Sequence, residues 1–201
     1  MNHHQTVGRV KPAGRAPAAG AAHRLHGFLL ALLVALALSP SAIRAAETRD
    51  ASHFFSLSTG DLKAEAADAR KEGRKALLLF FEQEGCPGCL HMKRHVLNRP
   101  AVQDYFRENF AVIAVDIRGS VSLRDFADRE FTEKSFAEKL KVRGTPTFIF
   151  YDLSGNELVR IFGTIDTPDE FLLLGQFVTS GAYKTRSFAR FKTEAPSRKG
   201  S

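Results

Sequence analysis

Two short stretches constrain the fold of this chain more than any other feature. Lys75 to Phe81 and Phe110 to Asp116 are apolar throughout, apart from one charged residue at an end. A strand with one wet face alternates apolar and polar side chains, whereas an unbroken run this short fits a strand buried on both faces. Such strands need a covering layer on each side, and the flanking sequence supplies helices. Ser58-Thr59-Gly60-Asp61 offers capping residues before Leu62, Ala64, Ala66, Ala67 and Ala69, in a segment that ends at Gly73. Between the two runs, Leu90, Met92, Val96 and Leu97 form one helical stripe. Pro100 opens a second helix, with Val102, Tyr105 and Phe106 on its apolar side.

The second half continues the pattern. Ile117 to about Glu130 is the least patterned part and reads as an inserted loop, and Phe131 to Val142 reads as a helix that turns Phe136, Leu140 and Val142 inward. A strand entered through a proline, Gly144 to Tyr151, leads through the turn Asp152-Leu153-Ser154-Gly155-Asn156 into a returning strand, Leu158 to Phe162. Thr167-Pro168-Asp169-Glu170 starts a helix with an N-cap, a proline at the first position and acids in the first turn. Phe171, Leu172, Leu174, Phe177 and Val178 bury it. Strands separated by helices need crossovers, while the tight turn joins neighbours directly. The expected class is therefore α/β, with a mixed central sheet and helices on both faces.

Charge divides the chain. Residues 1 to 45 contain no Asp or Glu but hold Arg9, Lys11, Arg15, Arg24 and Arg44, and Phe28 to Leu38 is uniformly apolar before the break at Ser39-Pro40. A basic region followed by an apolar run of ~7–15 residues is the pattern of a secretory signal, and Ile43-Arg44-Ala45 offers a cleavage site. An uncleaved anchor is the alternative, although spanning takes about 20 apolar residues. Without this leader, 24 basic residues face 22 acidic ones, a formal net charge of about +2. The high overall pI thus belongs mostly to targeting, and nothing remains to argue for a nucleic-acid partner. The expected organisation is a signal peptide at 1–45, one domain at 46–183 and a basic flexible tail at 184–201, with a periplasmic or otherwise exported location.

The chain has two cysteines, both in Cys86-Pro87-Gly88-Cys89, at the point where a buried strand gives way to a helix. A helix-opening turn brings two such residues within the ~7 Å Cα separation that a disulfide needs. It also aims unpaired backbone N–H groups at the first sulfur, which favours thiolate over thiol. A structural bridge is the plain alternative, but closing a two-residue loop stabilises little. The pair therefore reads as redox-active, with Cys86 attacking and Cys89 resolving. His91 and His95 share a helix face four residues apart and allow a second reading, a metal-binding or metal-delivery protein using the same thiols and His91. Solvated or core-edge histidines are the plain reading, and no metal ligand is assigned. Lys93, Arg94 and Arg99 allow a raised positive potential near the thiolate, with the wet face of the same helix as the plain reading.

The order of these parts, a buried strand, Cys86-Pro87-Gly88-Cys89 opening a helix, a second buried strand, a helix, then Gly144-Thr145-Pro146 leading into a hairpin, resembles the thioredoxin superfamily over roughly residues 60 to 183. The resemblance implies a thioredoxin-like fold, a cis bond before Pro146, and a peptide groove beside Cys86 to which Thr145 and Pro146 contribute. The leader, the stretch Phe80-Phe81-Glu82-Gln83-Glu84-Gly85 and the ending Phe171 to Tyr183 are similar to the SoxW-like periplasmic thioredoxins. Two positions depart from the superfamily pattern. Phe80 stands where thioredoxins usually carry a buried Asp, which leaves Glu82 and Glu84 as candidate proton acceptors for Cys89, with plain solvation as the alternative. Gly85 stands where a tryptophan usually precedes the first cysteine.

These readings lead to an expected exported thiol–disulfide oxidoreductase, acting on protein disulfide or dithiol clients, more as a reductant than as an oxidant. It needs no cofactor and is expected to be a monomer. A reductant in an oxidising compartment needs electrons from elsewhere, and the resemblance implies a membrane donor of the DsbD or CcdA type.

Overall fold

The computed structural model describes residues 47–195. The leader read at residues 1 to 45 lies outside them, as do the last six residues of the chain, 196–201. In order, helix α1 (Leu62–Lys71) precedes strand β1 (Ala76–Glu82), and helices α2 (Pro87–His95) and α3 (Pro100–Asn109) lead to β2 (Phe110–Asp116). Short strands β3 (Ser122–Arg124) and β4 (Glu130–Thr132) come before α4 (Glu133–Lys139). Strands β5 (Thr147–Tyr151) and β6 (Glu157–Phe162) form a hairpin, followed by α5 (Pro168–Thr179) and α6 (Phe188–Glu194).

The main sheet has the order β2-β1-β5-β6. Strand β1 pairs with β2 in parallel and with β5 antiparallel, and β5 pairs antiparallel with β6, so the sheet is mixed. The unbroken apolar run of β1 now has a physical reason. Ala76, Leu78 and Phe80 pack on one face with Met92 of α2, Phe106 of α3 and Phe171 of α5. Leu77, Leu79 and Phe81 pack on the other with Leu62 and Ala66 of α1 and Phe136 of α4. Strand β2 divides in the same way, with Phe110 and Val112 on the first face and Ala111, Ile113 and Val115 on the second. Both cysteines belong to the first core.

The stretch expected to be a patternless loop is a small hairpin instead. Strands β3 and β4 pair through Leu123 and Phe131, and the turn between them is organised by Asp125, which is almost fully buried. Burial alone would raise the Asp125 carboxyl, but hydrogen bonds from Lys139, from the backbone and side chain of Arg129, and from the Ala127 N–H outweigh it. They hold the carboxyl well below its ordinary range. The helix expected over Phe131 to Val142 is shorter because Phe131 and Thr132 are taken into β4. The Thr132 side chain then caps α4 by accepting from the Ser135 N–H.

The described part of the basic tail is also more ordered than expected. Ser187 caps α6, Phe188 and Phe191 lie 5.5 and 5.3 Å from the ring of Phe177, and Lys192 pairs with Glu170 of α5 at 2.6 Å. Two aromatic anchors and carboxylates for its cations hold a segment whose composition alone suggested a loose end.

Candidate active site

Strand β1 ends at Glu82, and Gln83 to Gly85 turn the chain into α2. Gly85 takes φ +72°, a left-handed conformation that glycine adopts without a steric penalty, so the residue in the usual tryptophan position is required by this turn. Cys86 is the N-cap of α2 and Pro87 its first residue, where a missing N–H costs nothing. The Cys89 N–H donates to Cys86 Sγ at 3.1 Å. The two cysteines are joined as a disulfide with their Cα atoms 5.3 Å apart, and both are largely buried, Cys86 at 7% and Cys89 at 3% exposure. Cys86 is thus the more exposed of the two residues, and its sulfur accepts a helix-end N–H. That arrangement stabilises negative charge on Cys86 once the bridge is opened.

The Thr145–Pro146 bond is cis, and Pro146 is buried against the cysteine turn while Thr145 is half-buried beside it. A Cβ on Gly88 would lie 2.9 Å from Pro146 Cδ and 3.1 Å from Thr164 Cγ2, so the second residue between the cysteines has no room for a side chain. On the far side of the cis bond, a Cβ on Gly144 would meet the ring of Phe162 at 2.7 Å. That ring stands 73% exposed beside the loop. The loop after β6 is docked along α2, with the Ile165 N–H donating to Met92 Sδ at 3.3 Å and the Gly163 N–H to the Pro146 carbonyl at 2.9 Å. Residues distant in sequence thus form one surface around Cys86.

A cleft of about 480 Å³ opens on the other side of the cysteines, lined by Glu82, Glu84, Cys86, Cys89, Lys93 and Asp116 among others. Glu82 is part-buried and pairs with Lys93 at 2.5 Å, while Glu84 is exposed in the turn. Behind the cleft, Glu133 of α4 accepts from the Asp116 N–H at 3.1 Å. Burial pushes the Glu133 carboxyl above its ordinary value, and the Asp116 and Glu82 charges add to the effect. The position of the usual buried acid is filled by Phe80, fully buried with rings of Phe148 and Phe55 at 5.1 and 5.7 Å.

The histidines do not assemble with the thiols. His91 faces Asp166 at 3.8 Å and His95 at a ring separation of 4.9 Å. Among the described residues no three His, Cys, Asp or Glu side chains converge as a metal site would require. Nor is any helix among the described residues long and apolar enough to cross a membrane.

A family model described as a thioredoxin-like domain matches residues 62–179, more than half of the chain. The chain belongs to the thioredoxin-like domain family. Its structure is similar to that of a thioredoxin-fold protein from Helicobacter pylori, with a TM-score of 0.56, 22% identity, and coverage of 72% of this chain and 88% of that one. It is also similar to a thioredoxin from Thermus thermophilus, with a TM-score of 0.48, 27% identity, and coverage of 61% and 88%. In sequence it matches the thiol:disulfide interchange protein DsbD of Photorhabdus laumondii, 26% identical over 98 residues. That match spans 48% of this chain but 15% of the relative. A thioredoxin-like domain with a bonded Cys86–Cys89 pair opening a helix has the arrangement that thiol–disulfide exchange requires.

The sequence singled out Cys86, Cys89, Thr145, Pro146, Glu82 and Glu84, and all six lie around the cysteine turn. It passed over Gly88, Thr164 and Phe162, and read Lys93 as part of the wet face of α2. The signal for Lys93 was available, since it lies four residues after Cys89 and therefore on the same face of α2. Thr164 and Phe162 depend on how the β6–α5 loop docks, which no local pattern encodes.

Proposed function

We propose that this protein is an exported reductant of protein disulfides. The observation that carries the reading is the Cys89 N–H donating to Cys86 Sγ at the N-cap of α2, next to the cis Pro146. In the reducing direction the Cys86 thiolate attacks one sulfur of a client disulfide, a Cys86–client bond forms and the other client sulfur leaves as a thiolate. Cys89 then attacks Cys86 Sγ, the Cys86–Cys89 bond closes and the client leaves with both its sulfurs reduced. Two electrons pass from the protein to the client, and oxidation of a client is the same sequence reversed. Pro146 and Thr145 form the edge along which an extended client segment lies. Glu82 takes the Cys89 proton in preference to Glu84, which is exposed beyond the end of the strand.

Export is supported by the acid-free basic leader and its apolar run. Re-reduction in an oxidising compartment requires a donor, and a membrane protein of the DsbD or CcdA type fits that need. The leader, the Phe80 to Gly85 approach and the Phe171 to Tyr183 ending support a narrower place among the SoxW-like thioredoxins, acting as a monomer.

Cys89→Ser tests the reaction, because a resolving thiol that is missing leaves the Cys86–client disulfide trapped. Failure of that variant to hold any client or model peptide through Cys86 would overturn the mechanism. Direction is tested by redox titration. A potential near about −270 mV supports a reductant, and one near about −120 mV would make the protein an oxidant instead.

A further inference from the structure

The cleft beside the cysteines holds about 480 Å³, more than the approach of one sulfur to Cys86 requires. Its surface next to Cys86 is bare or apolar. Gly85 adds no side chain, and a Cβ there would meet nothing within 4 Å. Pro87 is exposed at the start of α2. Leu90 follows one turn after Cys86, with its N–H bonded to the Cys86 carbonyl at 3.1 Å, and stands 46% exposed. A client whose sulfur is bonded to Cys86 lies over this surface.

Charge decides what fits there. Lys93 is the cation of the cleft, and it is committed to Glu82 at 2.5 Å. Glu84 and Asp116 line the same cleft and, among the described residues, neither makes an ion pair. Glu84 is exposed in the turn, and Asp116 is partly buried at the end of β2. The Asp116 side chain accepts from the Arg118 N–H at 2.9 Å, a bond that leaves its negative charge in place. Glu133, which accepts from the Asp116 N–H behind the cleft, is a further acid rather than a cation. Two carboxylates without cations thus border an apolar surface beside the reacting sulfur.

A long cationic side chain matches both features. Lys and Arg lay an aliphatic stem along apolar surface while the charged head stays among polar groups and water. In an extended segment, side chains two positions apart face the same way, about 7 Å from one another. The residue two places from the client cysteine therefore reaches beside Cys86 rather than onto it. An acidic side chain there would set like charges together, and a plain apolar one would gain only the contacts with Pro87 and Leu90. Resting on the exchange reaction above, we propose that this cleft is a subsite for a lysine or arginine of the client, two positions from the cysteine that bonds to Cys86. Pro87 and Leu90 lie along its stem, and Glu84 and Asp116 receive its head. Clients are thereby selected for positive charge close to the disulfide.

Model peptides test this. Each carries one cysteine activated as its 2-pyridyl disulfide, with Arg, Ala or Glu two positions away, on one flank in one series and on the other flank in a second. The Cys86 thiolate of reduced Cys89→Ser protein attacks the peptide sulfur and the Cys86–peptide bond forms. The bond to the pyridine sulfur breaks with its electron pair, and the pyridine-2-thione released is followed by absorbance. In one of the two series the Arg peptide is expected to react about 5-fold faster than the Ala peptide at low ionic strength, the upper end for an exposed ion pair. The Glu peptide reacts more slowly than the Ala peptide. These differences narrow in 1 M salt, where the Debye length is about 3 Å. Glu84→Gln and Asp116→Asn each lower the Arg-to-Ala ratio, a ratio that cancels any effect of the substitution on the thiolate itself. Glu84→Lys makes the Glu peptide faster than the Arg peptide. The proposal is overturned if the Arg, Ala and Glu peptides react alike in both series, or if the Arg advantage survives high salt or the loss of both carboxylates. Release from none of the peptides would overturn the exchange reaction instead.

Discussion

Gly88→Ala tests whether the cysteine turn and the cis-proline loop fit as closely as the structure requires. The added methyl would sit 2.9 Å from Pro146 Cδ and 3.1 Å from Thr164 Cγ2, where carbon atoms ordinarily approach to ~3.5–4.0 Å. Relieving both contacts takes a shift of roughly half to one ångström. Pro146 Cδ is a ring atom bonded to the backbone nitrogen and cannot rotate away. Overpacking of this kind costs about 1–3 kcal/mol, against which alanine in a helix gains at most about 1 kcal/mol over glycine. With a ring atom that cannot yield, the upper end applies, a net loss of about 2 kcal/mol and a fall of roughly 4–8 °C in the melting temperature of the oxidised protein. Gly144→Ala is the control. Its methyl would meet only the exposed ring of Phe162, which can swing into solvent, so the melting temperature should change less. Trapping of a client in the Cys89→Ser background should fall with Gly88→Ala, because Pro146 is pushed from its place beside Cys86. A Gly88→Ala protein at least as stable as the parent, with unchanged trapping, would refute the argument.

Two further perturbations address the fold around the site. Asp125→Asn removes the charge that binds Lys139 and Arg129, and should cost about 2 kcal/mol in urea unfolding near neutral pH, the scale of a charge-assisted hydrogen bond. The Asp125 carboxyl is held low in the folded protein, so its stabilisation is complete above the unfolded value of about 3.9 and is lost as pH falls below it; parent and variant should converge in acid, and a constant gap would count against this account. Tyr151 is buried with no partner for its hydroxyl among the described residues, and burial pushes its phenol well above the ordinary value. Tyr151→Phe keeps the ring contact with Phe126 and removes an unsatisfied group, so the urea midpoint should hold or rise by the equivalent of about 1 kcal/mol, and a fall of that size would show that the hydroxyl is bonded in solution.

The sheet was legible from sequence because its signals are local. The unbroken runs of β1 and β2 predicted burial on both faces, and the structure supplies a core on each. The turn at Asp152 and the cap at Thr167 lie where turn and capping chemistry put them. The β3–β4 hairpin was not legible. Its strands are three residues each, and its turn is stabilised by Lys139 from a later helix, a contact with no footprint in the Ile117 to Glu130 stretch. The same holds for α6, whose order comes from Phe177 and Glu170 on a neighbouring helix. At the site, motif spacing pointed to the cysteines, and Pro146 came in through the family resemblance. Gly88 escaped notice because its reason is the nearness of a residue 58 positions away in sequence.

The choice between Glu82 and Glu84 needed the structure, because the run read from sequence stops at Phe81 and both acids follow it. Strand β1 continues to Glu82, so Phe80 and Glu82 share a face while Glu84 lies beyond the strand end. Parity also explains why the acid cannot simply be returned to its usual place. Phe80 fills a fully buried site between Phe55 and Phe148, and replacing a ring there costs about 3–5 kcal/mol before any charge is considered. A buried carboxylate with no partner adds several kcal/mol more. Phe80→Asp with Glu82→Gln, which moves the acid two residues back on the same face, should therefore lower the urea midpoint sharply and leave the attack of Cys89 on a Cys86–client disulfide as slow as in Glu82→Gln alone. Restoration of that step in the double variant would mean that position along the strand is unimportant and that any acid on the cysteine face can serve.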